Sequence, residues 1–187
     1  MTEHFIHDDI PEGIFNNYTK LEKIAVDTEL HGLTMNRDQI CLVQLCDQGG
    51  QICLVRPKQG AGVSRLKALM ENKDVLKVFH FALTDVAFFQ TSLNIEVTPF
   101  CCTKVMSKLI RTYTQNHGLK DLHMELLGIQ MEKEQQQTNW AESDLSQKQL
   151  KYAANDVLRL LQIFERLKKN DHFKKQASRG KKHFRIK

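Results

Sequence analysis

Four carboxylates and one tyrosine carry most of the chemical potential of this 187-residue chain: Asp27 and Glu29 in IAVDTEL, Asp85 in VFHFALTDVAFF, and Tyr152 and Asp156 in LKYAANDVLRLL. Successive side chains of a strand alternate between faces. Asp27 and Glu29, two apart behind the apolar run Ile24-Ala25-Val26, therefore point to one side of a sheet. Tyr152 and Asp156 are four apart in a helical pattern marked by Leu150, Ala153, Ala154, Val157, Leu158, Leu160 and Leu161, which stacks the hydroxyl and the acid on one helix face. Asp85 falls between the strand-like Val75 to Phe79 and the apolar segment Val86 to Leu93, a place from which a carboxylate reaches the same cleft. Hard oxygen donors of this kind suit Mg²⁺ or Mn²⁺ better than zinc.

Each residue taken alone has a plainer role. An Asp at a strand end ordinarily caps a helix or closes a turn, and a Tyr ordinarily packs its ring with the hydroxyl at the surface. The set is harder to explain this way, because an acid pair spoils an otherwise buried strand and such local rule-breaking concentrates at functional sites.

The elements that must hold these residues are legible in the pattern. Strands are expected at Lys23 to Leu30, Ile40 to Cys46, Gln51 to Val55, Val75 to Phe79 and briefly near Glu96. Helices are expected at Val63 to Met70, Asp85 to Leu93, Thr103 to Arg111, Leu119 to Leu127 and Ser146 to Lys168, the last opened by Ser146 as cap. Gly49-Gly50 and Gly60-Ala61-Gly62 punctuate them. The first three strands look like a meander and the rest alternates, which gives an α/β domain with a mixed five-stranded sheet flanked by helices.

The order D-x-E, H-x4-D, Y-x3-D, here Asp27-Thr28-Glu29, His80 to Asp85 and Tyr152 to Asp156, resembles the DEDDy group of 3′-5′ exonucleases that includes RNase D. The segments FCCTKVMSKLIRTYTQNHGLKDLHMELLG and EKEQQQTNWAESDLSQKQLKYAANDVL are similar to those of nanoRNase C, a compact relative. The resemblance implies an RNase H-like exonuclease fold, metal-dependent hydrolysis of very short RNAs down to dinucleotides, and assembly as a ring-shaped homo-octamer. It also implies two divalent metal ions, Mg²⁺ or Mn²⁺, roughly 4 Å apart and bridged by Asp27. Glu29 and Asp156 would complete one ion and Asp85 assist the other, while Tyr152 orients the attacking water or the scissile phosphate.

DTELHGL resembles the D-x-E-x-T-G-L segment of the oligoribonuclease group, in which the leucine wedges between two bases. That position is Leu33 here, and Leu30, His31 and Gly32 belong to the same substrate-facing stretch. Two departures are visible. His31 stands where oligoribonuclease has Thr, and Cys101 or Cys102 stands where RNase D proteins often have Asp, but neither change removes a metal ligand.

A pocket for a short RNA needs stacking and donor groups. His80, Phe81 or Trp140 could stack on a base. The donor-rich run Arg111, Thr112, Tyr113, Thr114, Asn116, His117 and Lys120 could cap a 5′ phosphate, or simply be a polar loop before the helix near Leu119.

Length and composition fit one exonuclease domain, residues 1–170, with a basic tail at 171–187. Residues 168–187 contain nine Lys or Arg and one Asp, so the net charge of +5 belongs to this end, and residues 1–167 are net negative. The tail reads as an RNA-steering segment or as a solvated terminus. No run is apolar enough for a transmembrane helix or signal peptide, and the five cysteines are odd in number with no C-x-x-C pair. A cytoplasmic protein with reduced thiols and no membrane partner is expected. Two other readings stay open: trimming of longer RNA or DNA by the same acids, and a catalytically silent nucleic-acid-binding module.

Overall fold

Strand β2 (Lys23–Leu30) is built from Ile24, Ala25 and Val26, whose buried side chains alternate between two cores. Ile24 and Val26 face one cluster and Ala25 faces the other, while the strand's second half carries Asp27 and Glu29 on the Ala25 side. The structure, a computed structural model, describes residues 5–57, 62–131 and 138–169. The basic tail and the Gly60-Ala61 signal lie outside the described residues.

The sheet holds six strands in the order β1-β4-β3-β2-β5-β6. They are β1 (Ile6–His7), β2, β3 (Ile40–Cys46), β4 (Ile52–Val55), β5 (Leu76–Phe79) and β6 (Phe100–Cys102). The meander β2-β3-β4 is antiparallel, and β5 and β6 add in parallel on the other side of β2. β1 pairs in parallel with β4. The sheet thus has one strand more than the five expected, because the two-residue β1 lies in a polar stretch too short to show alternation. The expected strand near Glu96 does not form; the pairing partner of β5 is β6, a few residues later.

One face is covered by α1 (Glu12–Tyr18), α2 (Ser64–Glu71) and α3 (Ala82–Leu93) through Tyr18, Leu66, Leu69, Met70, Phe88 and Phe89. The other is covered by α4 (Thr103–Ile110), α5 (Leu119–Leu122), α6 (Gln147–Leu158) and α7 (Leu160–Lys168). Each fully buried Leu, Ile or Phe in these two layers contributes about 1.5–3 kcal/mol of transfer free energy.

Three helices differ from expectation. α3 starts at Ala82, so Asp85 sits inside its first turn rather than opening it. The segment after α5 is a π-helical turn, His123–Leu127, closed by Gly128 at φ +69°. The long final helix breaks at Arg159 (φ −116°, ψ 5°), because the apolar positions from Val157 to Leu167 spread too widely for one straight stripe, and the change of direction buries Val157, Leu160, Leu161, Ile163, Phe164 and Leu167. The expected Ser146 cap forms as a capping box: Ser146 Oγ accepts from the Gln149 amide, and Gln149 Oε1 accepts from the Ser146 amide.

Candidate active site

β2 outruns its parallel neighbour. β5 pairs only with Lys23, Ile24 and Ala25, then leaves the sheet through His80 and Phe81 into α3. The acids therefore lie on the part of β2 that has a strand, β3, on one side only. Across the resulting cleft, α6 packs over β2 and β3 and lowers Tyr152 and Asp156 toward the acid pair. Oxygens of Asp27, Glu29 and Asp156 all lie within 4.8 Å of one another. Asp85 stands just outside this group and is fixed by Thr28, whose Oγ1 donates a 2.6 Å hydrogen bond to its carboxylate. Thr28 was not singled out in the sequence, although the middle residue of D-T-E must point to the face opposite its two neighbours.

The electrostatics show what such a cluster lacks. Burial pushes the Asp27 carboxyl well above the ordinary carboxylate range, and Asp85, Asp156 and Glu29 push it further. Burial, then Asp156 and Asp85, raise Glu29 to about 9. Asp156 is raised by burial against the opposing effect of the Tyr152 hydroxyl, and Asp85 by burial against the Thr28 hydrogen bond. Among the described residues none of the four acids has a Lys or Arg ion-pair partner. Like charges this close hold their protons unless a cation replaces them, so the donor set fits hard divalent ions.

Tyr152 is half-buried, and its hydroxyl is pushed upward by burial and by Asp156, so it remains a protonated donor at any physiological pH. Trp140 lies against it, ring centroids 6.2 Å apart, and is only 4% exposed within the Leu42, Leu54, Leu150 and Ala153 cluster. Trp140 is thus a support for Tyr152, not an open stacking platform, because its ring is enclosed by apolar neighbours. A cavity of about 430 Å³ opens beside Tyr152 and Asp156, with Lys148, Lys151 and Arg159 in its lining.

The other sequence candidates divide by exposure. The turn after β2 presents Leu33, 76% exposed, while Leu30 packs partly into the core and His31 ties its amide to Gln39 O. Gly32 is required there: a Cβ would come within 2.3 Å of Asp38 Oδ2, the carboxylate that accepts from the Thr34 amide and from Arg37. Phe81 is half exposed at φ +69°, a strained conformation for a bulky residue, with Lys104 Nζ 4.2 Å from its ring centroid.

His80 Nδ1 lies 2.9 Å from Thr103 Oγ1, which itself donates to Phe79 O. The hydroxyl must then accept, so His80 carries its proton on Nδ1 and keeps a buried, unprotonated Nε2 that has no partner among the described residues. Burial lowers its pKa to about 4 and keeps it neutral.

Arg111 is 1% exposed. Its guanidinium binds Glu125, Ser107 Oγ and Asn116 O, and Tyr113 also donates to Glu125. His117 is buried on Ser107 Oγ. Arg111 and His117 therefore close the loop from inside, Arg111 with its guanidinium held by Glu125, Ser107 and Asn116 and His117 buried beside it. Tyr113 keeps its ring outward, 72% exposed.

A mixed sheet with helices on both faces and a buried carboxylate centre at the outer half of its central strand is the architecture of an RNase H-like exonuclease. The sequence profile described as 3′-5′ exonuclease matches residues 4–170, and the chain belongs to that family. Ribonuclease D of Haemophilus influenzae is 32% identical over 146 residues, covering 78% of this chain and 36% of that protein. The chain spans little more than a third of the curated relatives' length. Among solved structures, Brucella melitensis NrnC bound to pGG is 37% identical, with a TM-score of 0.86 over 95% of this chain and 86% of that one. The same protein with bound Mg²⁺ gives 36% and 0.85, over 95% of this chain and 87% of that one. Escherichia coli RNase D, 22% identical with a TM-score of 0.81 over 94% of this chain and 46% of that one, shares the fold.

Proposed function

We propose that this protein is a metal-dependent 3′-5′ exoribonuclease that hydrolyses short oligoribonucleotides, dinucleotides above all, to nucleoside monophosphates at the end of RNA decay. The observation that carries the reading is the convergence of Asp27, Glu29 and Asp156 within 4.8 Å in a buried cleft that holds no ion-pair partner among the described residues. The likeness to NrnC structures bound to pGG and to Mg²⁺ supports both the substrate class and the metal.

Asp27, Glu29 and Asp156 would hold two divalent ions, with Asp85 assisting from its Thr28 tether. Bound there, the ions supply a water of lowered pKa and neutralise charge on the phosphate. The chain's own groups do the rest. Tyr152, protonated and backed by Trp140, donates toward the attacking water or a phosphate oxygen beside Asp156. Leu33, exposed on a turn fixed by Gly32 and Asp38, enters between the two bases. Phe81 offers its ring to a base. Lys148, Lys151 and Arg159 give the adjoining cavity the positive charge that an RNA backbone requires next to an acidic centre.

Cytoplasmic location and the ring-shaped octamer belong to the same reading. No helix among the described residues is long and apolar enough to cross a membrane. The test is competitive digestion of a 5′-phosphorylated diribonucleotide and a long single-stranded RNA at equal concentrations of ends, with Mg²⁺ and then Mn²⁺. Preferential loss of the dinucleotide is expected. Ready trimming of the long RNA with accumulating dinucleotide would replace this reading by processing of longer RNA.

A further inference from the structure

On β3, Gln44 is directly opposite Asp27 of β2 in the antiparallel register. Residues opposite one another in such a pair project to the same face, with Cβ atoms roughly 4.5–5.5 Å apart. The Gln44 side chain therefore lies beside the Asp27 carboxylate, under α6, which packs across both strands. It is fully buried, and neither its Oε1 nor its Nε2 has a hydrogen-bond partner among the described residues. Its other neighbours on that face offer little. Leu54 is opposite it on β4, Leu42 precedes it along β3, and the Cys46 thiol that follows is directed to Asp47 O. A buried amide left this way costs free energy, and apolar residues fill every comparable position of β3, so packing does not account for a glutamine here.

We infer that Gln44 is a positioning residue of the metal centre: its amide N–H group, unpartnered among the described residues, donates to the Asp27 carboxylate once that carboxylate turns to ligate a divalent ion. The inference rests on the metal-centre reading above and adds a residue to it. A neutral amide suits the place better than a Lys or Arg would. It donates one hydrogen bond to a carboxylate oxygen without a positive charge that would compete with the ion for the same acid. Outer partners that orient metal-binding carboxylates generally change metal affinity by about 10- to 100-fold when removed.

The same geometry gives Gln44 a signature that a purely structural residue lacks. Replacing an unpaired buried amide by an apolar side chain of similar size leaves the metal-free fold as stable as before or more so, yet removes the donor. The experiment titrates the full chain with Mn²⁺, following free Mn²⁺ by electron paramagnetic resonance, and melts the same samples in excess EDTA. Wild type, Gln44→Met, Gln44→Leu and Asp27→Asn are compared. Gln44→Met and Gln44→Leu should bind Mn²⁺ about 10- to 100-fold more weakly than wild type while melting in EDTA at or above the wild-type temperature. Unchanged Mn²⁺ affinity in both overturns the inference. So does a large loss of metal-free stability in both, which would make Gln44 a packing residue. Absence of Mn²⁺ binding by wild type, or undiminished binding by Asp27→Asn, overturns the metal-centre reading itself and is distinguished by those two arms.

Discussion

Replacing Asp27 by Asn should stabilise this protein while destroying its chemistry, and the sign of the effect should depend on metal and on pH. Two unit charges 4.8 Å apart, the limiting separation of the Asp27, Glu29 and Asp156 oxygens, repel by about 3.5 kcal/mol at an effective dielectric constant near 20. The cluster relieves part of this by keeping protons. An acid whose folded-state pKa is raised binds more protons folded than unfolded, so metal-free stability falls as pH rises from the ordinary glutamate value of 4.5 through about 9 for Glu29. At pH 8 the acids are partly ionised, and removing one charge should restore about 1–3 kcal/mol. For a chain of this size that is a rise in melting temperature of about 2–10 °C. At pH 5, close to the ordinary carboxylate values of 3.8 and 4.5, the gain should shrink. The assay is thermal unfolding in EDTA at pH 5 and pH 8, repeated with Mg²⁺ or Mn²⁺, where wild type should gain stability and Asp27→Asn should not. A lower melting temperature for Asp27→Asn at pH 8 in EDTA, or full stabilisation of the variant by metal, would refute the assignment of Asp27 to a charge-crowded cation site.

Other outcomes follow from the same geometry. Tyr152→Phe should lower single-turnover rates by about 10- to 100-fold, because it removes the hydroxyl that lies beside Asp156; an unchanged single-turnover rate would remove Tyr152 from the reaction. Leu33→Ala removes a side chain that is 76% exposed, so urea denaturation should shift by less than about 0.5 kcal/mol while the KM for dinucleotides rises. Arg111→Ala should cost about 2–4 kcal/mol in urea denaturation, because it strips Ser107, Asn116 and Glu125 of a common partner. A turnover defect with normal stability would instead place Arg111 in the substrate site.

Strands β2 and β3 have the ends expected of them because both are bounded by polar turns and filled by apolar residues. The convergence of Asp27, Glu29 and Asp156 was equally legible, since spacing fixes which face each acid takes once strand and helix are known. What the sequence hid was of two kinds. β1 is too short to show a period, and Asp9 next to it caps α2 from a distance, accepting from the Arg65 and Leu66 amides, a long-range bond that no local pattern announces. Arg111 and Trp140 hid for the opposite reason: residues rich in donors or π surface read as ligand-facing, while the fold uses them inside. Gln44 drew no notice because one amide in ICLVQLC reads as a lapse in an apolar strand.

The uneven length of β2 and β5 separates two kinds of heritable information along a single strand. Lys23 to Ala25 pair with β5, Ala25 with β3 as well, and knit the sheet together, whereas Asp27 to Glu29 lie beyond the reach of β5 and are joined by strand pairing to β3 alone. Substitutions in the first segment should cost stability and those in the second turnover. A lineage can then lose or retune its hydrolytic activity at positions 27 and 29 while keeping its shape, and shape alone is a poor guide to whether a member of this family still cuts.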